Sequence, residues 1–238
     1  MSRNRHWTLL TVALGLALVA IRLGFWQLDR LSSRRTANTQ LQLARSLPPI
    51  DLGGDSASAG RRVTATGTFE TTCALLLRSR VHRAAPGLHV VSPFRVETSG
   101  TVIWVLRGFV AAADGVHPDV VPPPTPGLVT IRGELQPLPA TDDRGRPAVS
   151  DGDTTWQRMD VTMAAERRPD AMAVLLYMEG DSSGPDQLAT VEPPVLDNGP
   201  HLSYALQWFA IALAILVFSG YVIRKPSGRE RAPPAAAP

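Results

Sequence analysis

Pro200, His201, Tyr204 and Trp208 are the residues in this 238-residue sequence whose types and spacing most suggest chemistry. Proline is tolerated in the first turn of a helix, where its missing N–H would have no partner, so His201 falls at the mouth of the apolar segment that follows. Helical spacing stacks His201, Tyr204 or Ala205, and Trp208 along one face, three and four residues apart. A neutral imidazole nitrogen ligates iron and aromatic rings pack on a porphyrin, so this face suits a flat, apolar, iron-bearing macrocycle with His201 as the metal ligand. The competing reading makes the same side chains interfacial anchors, with wet polar tips and lipid-facing bodies. The residues alone leave both readings open.

Other constellations are weaker. Gly180-Asp181-Ser182-Ser183-Gly184 satisfies G-x-S-x-G. The hydrolase version needs a strand-to-helix elbow, which Pro185 and the polar residues after it do not offer, so a flexible turn is expected. His82, His89 and His117 have no second ligand at a metal-binding spacing and read as ordinary histidines. Cys73 is the sole cysteine, which excludes an intrachain disulfide, a C-x-x-C pair and the soft multidentate site that copper(I) prefers. The formal net charge is +3, but the basic residues are scattered and not interleaved with aromatics, which argues against nucleic acid as a partner. No catalytic set emerges, and the chain is read as a non-enzyme.

The elements that must position His201 are membrane elements. Residues 7–21 carry no charge, and the apolar pattern resumes after Arg22 through Trp26, so a transmembrane helix is expected over residues 7–27. The alternative is a cleaved signal peptide ending near Leu18-Val19-Ala20, but the apolar pattern runs past that site. A second spanning helix is expected over residues 203–223, and the lipid bilayer is accordingly a partner. Arg224, Lys225, Arg229 and Arg231 follow it directly, whereas the twenty residues before Tyr204 contain no Lys or Arg, which places the C-terminus inside. Around the first helix Arg30, Arg34 and Arg35 outnumber Arg3 and Arg5, yet two spans bring the N-terminus inside as well.

The expected fold is therefore an α+β membrane protein, two transmembrane helices flanking one mainly antiparallel β domain on the extracytoplasmic side. Residues 1–6 form a cytoplasmic N-terminus, residues 28–202 the β-rich domain with its linkers, and residues 224–238 a cytoplasmic disordered tail. Residues 27–47, polar and free of Pro and Gly, should extend the first helix. Strands are expected over 62–70, 74–81, 89–97, 101–110, 128–135 and 173–178, where β-branched and apolar residues concentrate. The stretches 53–60, 113–127, 139–152 and 179–199 read as linkers or breaks, and 160–168 as a short helix capped by Asp160. A meander or small barrel suits this spacing.

Two segments carry a family resemblance: Leu23-Gly24-Phe25-Trp26-Gln27-Leu28-Asp29-Arg30, and His201-Leu202-Ser203-Tyr204-Ala205-Leu206-Gln207-Trp208-Phe209. Both resemble the signatures of the Surfeit locus protein one family, whose members assist biogenesis of haem-copper cytochrome c oxidase. Val63 to Phe69, Gly87 to Pro93 and Trp104-Val105-Leu106-Arg107-Gly108-Phe109-Val110 stand where that family has its strand motifs. Leu106 replaces the usual Asn before the Arg-Gly pair, Phe109 the usual Trp after it, and Pro200 a commonly polar residue. The resemblance implies an assembly factor that holds haem a for the oxidase's haem-bearing core subunit, and the absence of an Arg- and Ser-rich amphipathic presequence argues for a bacterial plasma membrane. His201 matches the family's proposed axial ligand, Tyr204 and Trp208 would pack on the ring, and Arg22 or Arg30 would meet the propionates. The alternative function is that of a stable accessory subunit of the respiratory oxidase or supercomplex.

Overall fold

The computed structural model describes residues 3–53, 59–140, 147–150, 153–180 and 188–224. The chain forms two compact units, residues 1–38 together with 196–238, and residues 39–195. The G-x-S-x-G segment with Ser182, most of the 53–60 linker and the tail beyond Arg224 lie outside the described residues.

In the first unit two helices pair. Helix α1 spans Arg3–Ser46 and α2 spans His201–Arg224. Both are long and apolar enough to cross a membrane. The 24 residues of α2 rise about 36 Å, more than the ~30 Å of a hydrocarbon core. Helix α1 continues without a break to Ser46, as its polar, Pro-free and Gly-free second half requires. Burial follows a seam of alternating three- and four-residue steps, through Ala13, Ala17, Ala20, Gly24, Gln27 and Leu31 on α1 and His201, Ala205, Trp208, Ala212, Ile215 and Ser219 on α2. Small residues on this seam let the backbones approach, which is how apolar helices associate where lipid supplies no hydrophobic drive. A Cβ on Gly24 would stand 2.5 Å from Cε1 of Phe209, and the Phe25 and Phe209 rings meet edge to face at 5.4 Å.

The second unit is a β domain whose strands are β1 (Ile50–Asp51), β2 (Arg62–Phe69), β3 (Leu75–His82), β4 (Ala85–Val96), β5 (Val102–Ala111), β6 (Val129–Pro137), β7 (Ala148–Ser150), β8 (Asp153–Trp156) and β9 (Ala171–Met178). All six expected strands are present, within a few residues of the expected ends. Three short ones are additional. Strand β1 follows directly on the Pro48-Pro49 pair, β7 lies inside the stretch read as a break, and β8 is too short to show a period of its own. The sheet order is β1-β2-β6-β9-β5-β4-β3-β8-β7, and β2 also pairs with β4, which closes β2, β6, β9, β5 and β4 into a barrel-like ring. Most pairings are antiparallel, whereas β1–β2, β3–β8 and β5–β9 are parallel.

Closure explains why the first half of β5, Val102 to Leu106, reads as an unbroken apolar run. Ile103 and Val105 face a core with Val63, Phe94, Val96 and Leu176, while Trp104 and Leu106 enter a second core with Leu75, Val91 and Met163. Both faces are covered, so no polar alternation survives. The second core is roofed by a short helix, Val161–Arg167, at the expected place. Asp160 caps it, Oδ1 accepting from Met163 N–H at 2.7 Å. We expect Asp160→Ala to cost about 1 kcal/mol in chemical denaturation, and Asp160→Asn to recover most of it.

Candidate functional site at the His201 end of the helix pair

Helix α2 starts at His201 because Gly199, at φ +64°, turns the chain, and Pro200 supplies the carbonyl that accepts from Tyr204 N–H at 3.1 Å. Ser203 Oγ donates to the same carbonyl at 2.8 Å. Across the seam, Asn38 of α1 donates to Asp197 O at 2.8 Å and to Asn198 Oδ1 at 3.2 Å, which ties down the segment leading into His201.

The imidazole is half-buried and bonds to α1, with Nδ1 2.8 Å from Gln27 Oε1. An amide oxygen is an acceptor, so Nδ1 is the donor, and in the neutral ring the lone pair lies on Nε2. Second-shell bonding of this type fixes the tautomer and orientation of a metal-ligating histidine. A Cβ at position 199 would stand 3.4 Å from Nε2 and 3.3 Å from Cδ2, so glycine also keeps that edge of the ring uncrowded. The donor set therefore fits an axial imidazole ligand.

The other expected residues are placed unequally. Ala205 rather than Tyr204 continues the buried seam below His201, and Trp208 follows it half-buried. Tyr204 is exposed and points off the seam, as are Arg22 and Arg30, for which no ion pair is formed among the described residues. Gln27 is the partner of His201 that sequence reading missed. The signal was present, as a polar side chain three residues after Gly24 on the stripe that faces α2, but only the paired helices show what it meets.

The histidines of the β domain play a different part. The rings of His82 and Phe109 lie 5.3 Å apart, and His89 meets Phe109 edge-on at 6.5 Å. Burial, with Arg80 and His82 nearby, pushes His89 down to about 4 from an ordinary value of 6.5. Its folded value lies below its unfolded one, so unfolding takes up a proton between these limits and stability falls as the pH drops from 6.5 towards 4. The loss amounts to up to about 3 kcal/mol and should be absent in His89→Gln, which denaturation midpoints at pH 7 and pH 4.5 would show. His117 bonds to Asp114, whose carboxylate is held down to about 2 chiefly by the backbone N–H groups of His117 and Val116. No group of three or more potential metal ligands occurs among the described residues.

Two membrane-length helices at the ends of the chain, a barrel-like β domain between them and a single anchored histidine at the start of the second helix define a helix-flanked β protein without a catalytic constellation among the described residues. Comparison with known proteins agrees with this architecture. The SURF1 family model matches residues 14–213. Uncharacterized SURF1-like proteins of Mycobacterium bovis and Mycobacterium tuberculosis are 29% identical over 224 residues, covering 87% of this chain and 82% of theirs. A SURF1-like protein of Monosiga brevicollis is 28% identical over 252 residues, covering 96% of this chain and 92% of its own length. The chain belongs to the SURF1 family, known generally as cytochrome oxidase assembly factors and not as a class of enzymes.

Proposed function

We propose that this chain assists delivery of haem a to the catalytic subunit of cytochrome c oxidase during assembly. It would act from a bacterial plasma membrane, with both termini cytoplasmic and the β domain extracytoplasmic. The observation that carries this reading is the bond from His201 Nδ1 to Gln27 Oε1, which leaves Nε2 as a ligand held in one orientation. Bound haem supplies an iron that accepts one imidazole. His201 would hold that iron, Gln27 would orient the imidazole, and Trp208 would offer aromatic surface below it on the same seam, with Tyr204 exposed to one side. Arg22 and Arg30, exposed on α1, are the cations available to carboxylates. A carrier must release its cargo, and one protein ligand makes a site from which the oxidase's own ligands can draw the haem.

Protein purified from cells that make haem a should show a bound-haem spectrum that disappears in His201→Ala. Gln27→Leu should keep the spectrum and weaken haem retention about 10- to 100-fold, the range seen when an outer-shell partner of a metal-bound histidine is lost. An unchanged spectrum in His201→Ala would remove this residue from the mechanism. A stoichiometric copy in active oxidase would favour the accessory-subunit role instead.

A further inference from the structure

Arg107 lies in the middle of the β5 segment whose Arg-Gly pair marked the family, and it is 9% exposed. Its Nη2 donates to the carbonyls of Pro122 and Pro123 at 2.9 and 2.8 Å, and the guanidinium lies over the Phe69 ring at 5.8 Å. These are dipolar partners. No carboxylate pairs with it, and Nε and Nη1 have no hydrogen bond, among the described residues. Burial lowers its proton affinity, with no opposing contribution from an acidic neighbour. Its unbonded nitrogens are not enclosed by protein and face a cleft, where a bound anion would meet a partly desolvated cation.

Arg107 lines a cleft of about 730 Å³ with Phe69, Arg132, Met178 and Glu179. Glu179 does not supply the missing charge, because both its oxygens bond to Arg62 at 3.0 Å. Arg132 is exposed and adds a second cation without an ion pair among the described residues. The cleft arises from the lengths of three strands. Strand β9 separates β5 from β6 only as far as Met178, which stands opposite Gly133. Beyond that point the Arg132 carbonyl takes Glu179 N–H at 2.8 Å, while Val129, Thr130 and Ile131 have β2 as their only strand partner among the described residues. Among the described residues, one edge of β6 is therefore unpaired beside the cleft that both arginines line.

We propose that this cleft is a docking site for an extended, acidic polypeptide segment of a partner protein, which lies along the open edge of β6 and places a carboxylate on Arg107. An open edge supplies sequence-independent backbone bonds, as in β-strand addition, and charge complementarity selects the acidic side chain. The inference does not depend on haem binding at His201.

The test uses the full-length protein in lipid nanodiscs, titrated calorimetrically with acetyl-Val-Glu-Val-Glu-Val-amide. The wild type should bind it, the glutamine analogue should bind about tenfold more weakly or worse, and Arg107→Gln should lose about tenfold in affinity. Arg132→Gln, an exposed change that spares the core, should lose several-fold and keeps the test decisive if Arg107→Gln does not fold. Failure of the wild type to bind, or equal binding in both arginine variants, would overturn the proposal. Glutarate binding as tightly as the peptide would overturn it in favour of a small-anion site. Asp181 and Asp186 lie in the sequence between Gly180 and Leu188. Peptide binding only after Asp181→Asn/Asp186→Asn would overturn the proposal in favour of pairing within the chain.

Discussion

Gly67→Val is expected to abolish cooperative folding of the β domain, seen as loss of a thermal unfolding transition. Gly67 is the residue at which β2 changes partner, opposite Val129 of β6 and also opposite Val96 of β4. The ring closes at this corner. A Cβ there would stand 2.0 Å from the Arg95 carbonyl oxygen and 2.9 Å from Phe94 Cε1. The first obstacle is backbone, which moves only if the β2–β4 pairing breaks, and Phe94 is fully buried in the core that the ring encloses. Glycine at a barrel corner permits this close approach, and a branched side chain removes it. The cost should exceed about 4 kcal/mol, a large share of the 5–15 kcal/mol that ordinarily stabilises a domain. A folded variant with an unchanged midpoint would show that the corner relaxes freely.

The second large effect is expected at Arg45, in the last turn of α1, which belongs to the same compact unit as the barrel. Its Nε and Nη2 donate to Glu134 Oε1 at 3.0 and 2.9 Å, and Nη2 also reaches Pro194 O at 3.0 Å. Only 7% of the Glu134 side chain is exposed, and Gln136 is its other described partner. Arg45→Ala would leave a buried carboxylate with a single neutral donor, at a cost of about 3–5 kcal/mol. Removal of both charges should cost much less, so Arg45→Leu/Glu134→Leu should be more stable than Arg45→Leu alone. A double-mutant cycle by urea denaturation measures the difference, and simple additivity would count against a coupled pair. The ion pairs of Arg168 and Arg95 with Glu70 and Asp170 are more exposed at the carboxylates and should respond far less to the same treatment.

Much of this protein was determined by patterns confined to single segments. The helices needed only an apolar stretch long enough for a bilayer and the absence of Pro and Gly through residues 27–46. The capped helix needed only Asp160 before a helical run, and the six longer strands showed themselves through β-branched and apolar composition. His201 stood out for the same reason, because Pro200 announces a helix start and the histidine follows it.

What tertiary structure decided depends on distances between residues far apart in sequence, which no local period encodes. Register placed Gly67 at the corner that closes the ring, and it brought the short strands β1, β7 and β8 to partners that stabilise them. Sequence spacing left Tyr204 and Ala205 as equal candidates for the face below His201, and the pairing of the helices buried the alanine and left the tyrosine exposed. The same approach brought Gln27, 174 residues away in sequence, within 2.8 Å of the imidazole. Residue type and spacing named the histidine as a candidate ligand, but only the packing of two helices showed which of its nitrogens is held.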